Sequence, residues 1–155
     1  MDPEKLMQHA IDAAQRGIEK KQSPFGCAIA RGNELVVACH NVVWQTTDIT
    51  AHAEVTALRE ACRETDQILL DDCVVATTCE PCPMCTSALH WARVKTVYYG
   101  ATIADAAEAG FNELKVDAAT LLRTGGSKVI LKDGVLTEEC KTLFQLWLSR
   151  NGEAY

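Results

Sequence analysis

No apolar run in this 155-residue chain approaches the ~18 residues that a membrane-spanning helix needs, so no membrane span is predicted. The N-terminus, MDPEKLMQHAIDAAQRG, lacks the basic start and continuous apolar core of a secretory signal, which predicts a cytoplasmic protein. Basic residues are scarce: 15 Lys and Arg stand against 21 Asp and Glu, for a net charge of -6. Phosphate backbones select basic surfaces, so this balance argues against a nucleic-acid partner. No linker, low-complexity tract or internal repeat is present. One domain over 1–155 is expected, with 135–155 as a C-terminal helix and tail.

Cysteine is not scarce. There are eight, in a chain expected where disulfides are rare. Cys27, Cys39, Cys62, Cys73 and Cys140 are scattered, mostly in apolar surroundings, and read as buried free thiols. Cys79, Cys82 and Cys85 are clustered in TTCEPCPMC.

Periodicity orders the rest. Asp2-Pro3 opens a helix that keeps its spacing through Leu6, Ala10 and Ile18 to about Lys20. Two strands, 27–30 and 34–43, flank the turn at Arg31-Gly32-Asn33, and WQTTDIT reads as a polar loop. A second helix is expected from Ala51 to about Arg63, strands at 73–78 and 94–99, and a short helix from Pro83 to Trp91. Short helices follow to the glycine pair at 125–126, then a strand at 127–131 and a last helix over 135–150. Strands alternating with helices predict an α/β layered domain.

Thiolate and imidazole ligands suit zinc. Cys82 and Cys85 lie at the expected start of a helix, where outward N–H groups favour thiolates, and His52 in AHAEV can complete the set. Other readings compete. An iron–sulfur run needs a further cysteine where Leu89 stands. A structural zinc would recruit Cys79 as a fourth ligand, and the thiols can also be core residues without metal. Glu54 favours the catalytic reading, because a hydrolytic zinc needs a group that moves the proton of its water. Residues two apart on a helix point about 200° away from each other, so His52 and Glu54 converge only at an irregular first turn.

His52-Ala53-Glu54 followed by Pro81-Cys82-Pro83-Met84-Cys85 resembles the H-x-E and P-C-x-x-C signature of the zinc-dependent nucleobase and nucleoside deaminases. PFGCAIA, TAHAEVTALREAC, DDCVVATTCEPCPMCTSALHWARVKTVYYGA and DAAEAGF together resemble bacterial guanine deaminases of the cytidine-deaminase fold, over most of residues 1 to 115. The resemblance implies one deaminase domain with a three-layer α/β/α fold, a mixed sheet of about five strands between helices, and usually a homodimer. It implies Zn²⁺ on His52, Cys82 and Cys85, with Cys79 not a ligand. It implies a zinc-bound hydroxide attacking guanine at C2, giving xanthine and ammonia, with Glu54 as proton shuttle.

The same resemblance points to substrate contacts. Phe25 and Trp91 are implied as ring contacts, Asn41 as an amide reading the base edge, and Ala53 as a neighbour of the base within H-x-E. Glu113, just after AGF, is implied to accept from guanine N1–H and the 2-amino group and to shuttle a proton to the leaving ammonia. Tyr155 resembles a C-terminal tyrosine that closes the site. TGGSKVILKDGVLTEECKTLF looks more like the tail of cytosine and RNA-editing deaminases. Cytosine, an aminotriazine, a nucleoside or a tRNA adenosine therefore stand as alternative substrates, and a structural-zinc binding module as the non-enzymatic alternative.

Overall fold

In a computed structural model describing all residues 1–155, five strands form one mixed sheet flanked by helices on both faces. The order along the chain is α1 (Pro3–Glu19), β1 (Gly26–Arg31), β2 (Glu34–His40), α2 (Val43–Thr46), α3 (Ala53–Thr65), β3 (Cys73–Cys79) and α4 (Pro83–Trp91). There follow β4 (Thr96–Ala101), α5 (Ile103–Glu108), α6 (Ala118–Thr124), β5 (Ile130–Lys132) and α7 (Thr137–Ser149). The sheet order is β2-β1-β3-β4-β5. β1 runs antiparallel to both β2 and β3, whereas β3, β4 and β5 are parallel. No helix is long and apolar enough to cross a membrane.

The period-2 alternation of the strands builds two cores. Ala28, Ala30 and Ala76 face α1 and α7, where they meet Leu6, Met7, Ala10, Leu143 and Phe144. Cys27, Ile29 and Val75 face the other way, against Ala53, Ala57 and Leu58 of α3 and Leu89 of α4. The small residues of the first face let α1 lie very close to β1. At Gly26 an added Cβ would stand 2.0 Å from the Ala10 carbonyl oxygen, so only glycine fits there.

Several boundaries differ from the periodicity, each for a local reason. The second strand ends at His40 rather than 43. The Asn41 side chain accepts a hydrogen bond from Val43 N–H at 3.1 Å and turns the chain into the one-turn helix α2, inside what reads as a polar loop. The fourth strand starts at Thr96, because Val94 N–H still closes the end of α4 on the Leu89 carbonyl. The fifth is only Ile130–Lys132, since Ser127 Oγ accepts from Val129 N–H and keeps that stretch out of the ladder. All eight cysteines are free, but Cys39 and Cys62 are half-buried rather than core thiols.

Candidate active site

The starts of α3 and α4 meet beyond the C-terminal end of β3. His52 is the N-cap of α3, in extended conformation at φ -60°, ψ 159°, and its side chain makes no capping bond. Cys82 is the N-cap of α4 at φ -61°, ψ 167°, with Pro83 in the first turn and Cys85 on the next residues of the helix. These caps answer the 200° objection. His52 stands outside the helix and Glu54 inside it, so the two side chains need not diverge. Two helix N-termini also aim their positive ends at the same spot, which favours thiolates there.

His52 Nδ1 lies 3.7 Å from Cys82 Sγ and 3.6 Å from Cys85 Sγ. The ligand atoms of the three residues all lie within 4.8 Å of one another. Tetrahedral zinc, with bonds of about 2.3 Å to sulfur and 2.0 Å to nitrogen, has N···S edges of roughly 3.6 Å. The donor set thus fits zinc in both chemistry and spacing. Cys85 donates to Cys82, and this bond, with His52 beside it, pulls the Cys82 thiol down to about 4. The same bond and burial push Cys85 up.

Glu54 is buried, and Thr77 Oγ donates to its Oε1 at 3.0 Å. Burial first, and the neighbouring Cys82 second, raise its pKa above the ordinary carboxylate value. Glu54, His52 and Cys82 line a cavity of about 320 Å³, the size of a small-ligand site. Phe25, Phe111 and Tyr155 supply its aromatic wall. Glu113 also lines it, half-buried and with no hydrogen bond or ion pair to its carboxylate. Burial and Cys82 push Glu113 up to about 7. The site therefore combines a metal-fitting cluster, a buried carboxylate beside it, aromatic faces, and a second carboxylate with free acceptors.

Residues 1–101 match the cytidine and deoxycytidylate deaminase zinc-binding region. The chain belongs to that family. A guanine deaminase of Bacillus subtilis is 44% identical over 114 residues, 73% of this chain and 73% of its own length. A tRNA-specific adenosine deaminase of Aquifex aeolicus is 38% identical over 101 residues, 65% of this chain and 67% of its own. A solved guanine deaminase from Nitrosomonas europaea superposes with a TM-score of 0.87 over 96% of this chain and 85% of that one. At 24% identity that likeness shows the fold, here the cytidine-deaminase fold expected from the sequence.

Within this deaminase fold the expected site residues separate. His52, Glu54, Cys82, Phe25, Glu113 and Tyr155 share the cavity, with Cys85 buried in the cluster behind it. Cys79 lines the cavity but stays out of the cluster, because its thiol donates to the Thr102 carbonyl at 3.3 Å. Ala53 is buried in the first turn of α3 and packs into the second core. Asn41 is fully buried behind Tyr155, and its Nδ2 donates to the Tyr155 hydroxyl at 2.7 Å.

Trp91 is a correction. It is the last residue of α4 and 79% exposed, and it borders a different depression, with Ile68 and Leu69. A nine-residue helix spans about 13 Å, so a residue at its end cannot stack on a base held at its start.

Three functional neighbours escape the sequence reading. Thr77 orients Glu54, Phe111 packs at 4.8 Å from Phe25, and Glu80 lies buried at the cavity wall. The available signals were polar residues in an otherwise apolar strand end, CVVATTC, and an acid wedged between Cys79 and Pro81.

Proposed function

We propose that this chain is a hydrolytic guanine deaminase that converts guanine and water to xanthine and ammonia. One observation carries the choice of base: the unpartnered Glu113 carboxylate faces the same cavity as Glu54 and the His52–Cys82–Cys85 cluster. Guanine presents two adjacent donors, N1–H and the 2-amino group, and a carboxylate accepts from both at once. The likeness to the Bacillus subtilis guanine deaminase supports the same reading.

Zn²⁺ would be the cofactor in this reading: His52, Cys82 and Cys85 would hold it, and bound there it would lower the pKa of a water. Glu54 accepts one water proton and delivers it to the ring nitrogen, then takes the proton left on the attacking oxygen and passes it toward the amine as the C2–N bond breaks and the C2 carbonyl forms. Thr77 holds Glu54 in place for both transfers. Phe25 and Phe111 cover the ring and exclude water, and Tyr155 closes the cavity. Glu113 grips the donor edge and relays that second proton to the departing ammonia. Ala53 supports the start of α3 from the second core, and Asn41 acts through the Tyr155 hydroxyl that it holds against the site.

The whole of 1–155 acts as one deaminase domain, in the cytoplasm and in purine metabolism. The exposed Trp91 and Ile68, 79% and 80% exposed beside Leu69, support a homodimer formed on that face. Sedimentation of the zinc-loaded protein is expected to give twice the chain mass, and a monomer at all micromolar concentrations tested would refute the dimer.

The decisive measurement is ammonia release from a panel of guanine, cytosine, an aminotriazine, guanosine, cytidine and a tRNA anticodon stem-loop. Guanine is expected to be turned over fastest. Faster turnover of the stem-loop, with a tight and salt-sensitive complex, would favour the editing reading that the Aquifex aeolicus relative represents. Zinc binding with no ammonia from any member of the panel would leave a structural-zinc module.

A further inference from the structure

Glu80 is buried at the cavity wall, yet it is neither a member of the metal cluster nor a partner of Glu54. Its two carboxylate oxygens reach two distant points of the chain. Oε1 accepts from Ala118 N–H at 2.8 Å, and Oε2 accepts from Ile103 N–H at 3.2 Å. Its own N–H donates to the Ala101 carbonyl at 2.8 Å, which anchors Glu80 to the end of β4. No cation pairs with it.

Ile103 is the first residue of α5, and Ala118 is the first residue of α6. N–H groups in a first helical turn have no acceptor within their own helix and sit at the positive end of its dipole. One carboxylate therefore satisfies both. Each helix also has its own cap, Thr102 for α5 and Asp117 for α6, and those caps serve Asp105 N–H and Thr120 N–H instead. Two of the donors that these caps leave over are the ones that Glu80 takes.

What lies between these two points matters to the site. Phe111, Asn112, Glu113 and Leu114 all line the cavity, and all belong to the connection between α5 and α6. That connection has little secondary structure of its own. Its backbone bonds are short-range, such as Glu113 N–H to the Phe111 carbonyl and Val116 N–H to the Leu114 carbonyl. Such a segment is placed by the buried Phe111 ring within it and by what holds its ends.

We propose that Glu80 is a positioning residue that sets where Glu113 stands, by tying both ends of the 103–118 segment to the strand end that leads into Cys82. The consequence for substrate choice rests on the reading of Glu113 as the group that grips guanine. Glu80 touches no substrate. It decides whether the Glu113 carboxylate meets the donor edge of the base or swings away from it.

The test uses full-length, zinc-loaded protein and two variants that cut the clamp from opposite sides. Glu80→Gln keeps the size but turns one acceptor into a donor that faces an N–H. Ala118→Pro removes the N–H that Oε1 accepts, at a first helical position where proline is tolerated and after an Asp117 already extended at ψ 148°. Hydrogen exchange by mass spectrometry is expected to speed up across 103–118 in both variants, with α3 and β3 unchanged. Guanine kcat/KM is expected to fall at least about 5-fold, mostly through KM, with zinc content retained. In a Glu113→Gln background the same clamp variants should cost less than about 2-fold, because the residue they position is already lost. Unchanged exchange across 103–118 in both variants overturns the proposal. Equal losses with and without Glu113 also overturn it, since a general loss of stability would act in both backgrounds. The exchange readout needs no substrate, so its failure leaves the guanine reading standing. A wild type inactive on guanine fails that reading alone.

Discussion

Glu54→Ala is expected to keep its zinc and lose at least about 10²-fold in guanine turnover. The expectation follows from placement. Glu54 lies one residue past Ala53 from the His52 imidazole, is buried, and is held by the Thr77 hydroxyl at 3.0 Å. Its burial raises the cost of the ionised form and leaves the carboxyl able to hold a proton between transfers. None of the three cluster atoms belongs to it, so the metal site should survive the truncation. The readouts are zinc per chain by mass spectrometry and xanthine formation under saturating guanine. A variant with full zinc and wild-type turnover would remove Glu54 from the reaction. Cys79→Ser serves as the control and should retain both zinc and activity, because the Cys79 thiol turns to Thr102 rather than to the cluster. Loss of zinc in that variant would restore the four-ligand structural site.

Glu113→Gln should lower guanine turnover by about 5- to 150-fold, the factor that corresponds to a buried mismatch of roughly 1–3 kcal/mol. Glutamine keeps the volume and offers one acceptor where guanine needs two, so an N–H faces an N–H. The free carboxylate on the cavity wall is what makes this sharp, since Glu113 has no partner in the protein that the substitution would also disturb. Cytosine lacks the donor pair, so any cytosine activity should fall less. Xanthine and uracil formation by wild type and Glu113→Gln, measured together, separates the outcomes. Unchanged guanine turnover makes Glu113 a bystander. A wild type that makes uracil faster than xanthine shifts the substrate from guanine to cytosine.

The motif chemistry was legible in the sequence. His52-x-Glu54 and Cys82-x-x-Cys85 are short, local patterns, and their residue types restrict what can bind there. The helix over 83–91 and the strand β1 were legible for the same reason, because proline at a first turn and a short apolar run beside a glycine turn are local signals. The sheet order β2-β1-β3-β4-β5 was not, since no residue encodes its non-neighbours in sequence. The tertiary structure alone resolved how His52 and Glu54 converge, through the extended N-cap of α3. It alone moved Trp91 from the base to the far end of α4, where helix length separates residues that sequence proximity groups together. It alone joined Asn41 to Tyr155, and Glu80 to Ile103 and Ala118. These contacts link residues far apart in the chain, and they form only where packing of α1, α7 and the sheet brings buried polar groups within reach of a partner. The physical reason is that a buried donor or acceptor must be satisfied by whatever the fold places beside it, and that neighbour is a property of the packed chain rather than of any local stretch of it.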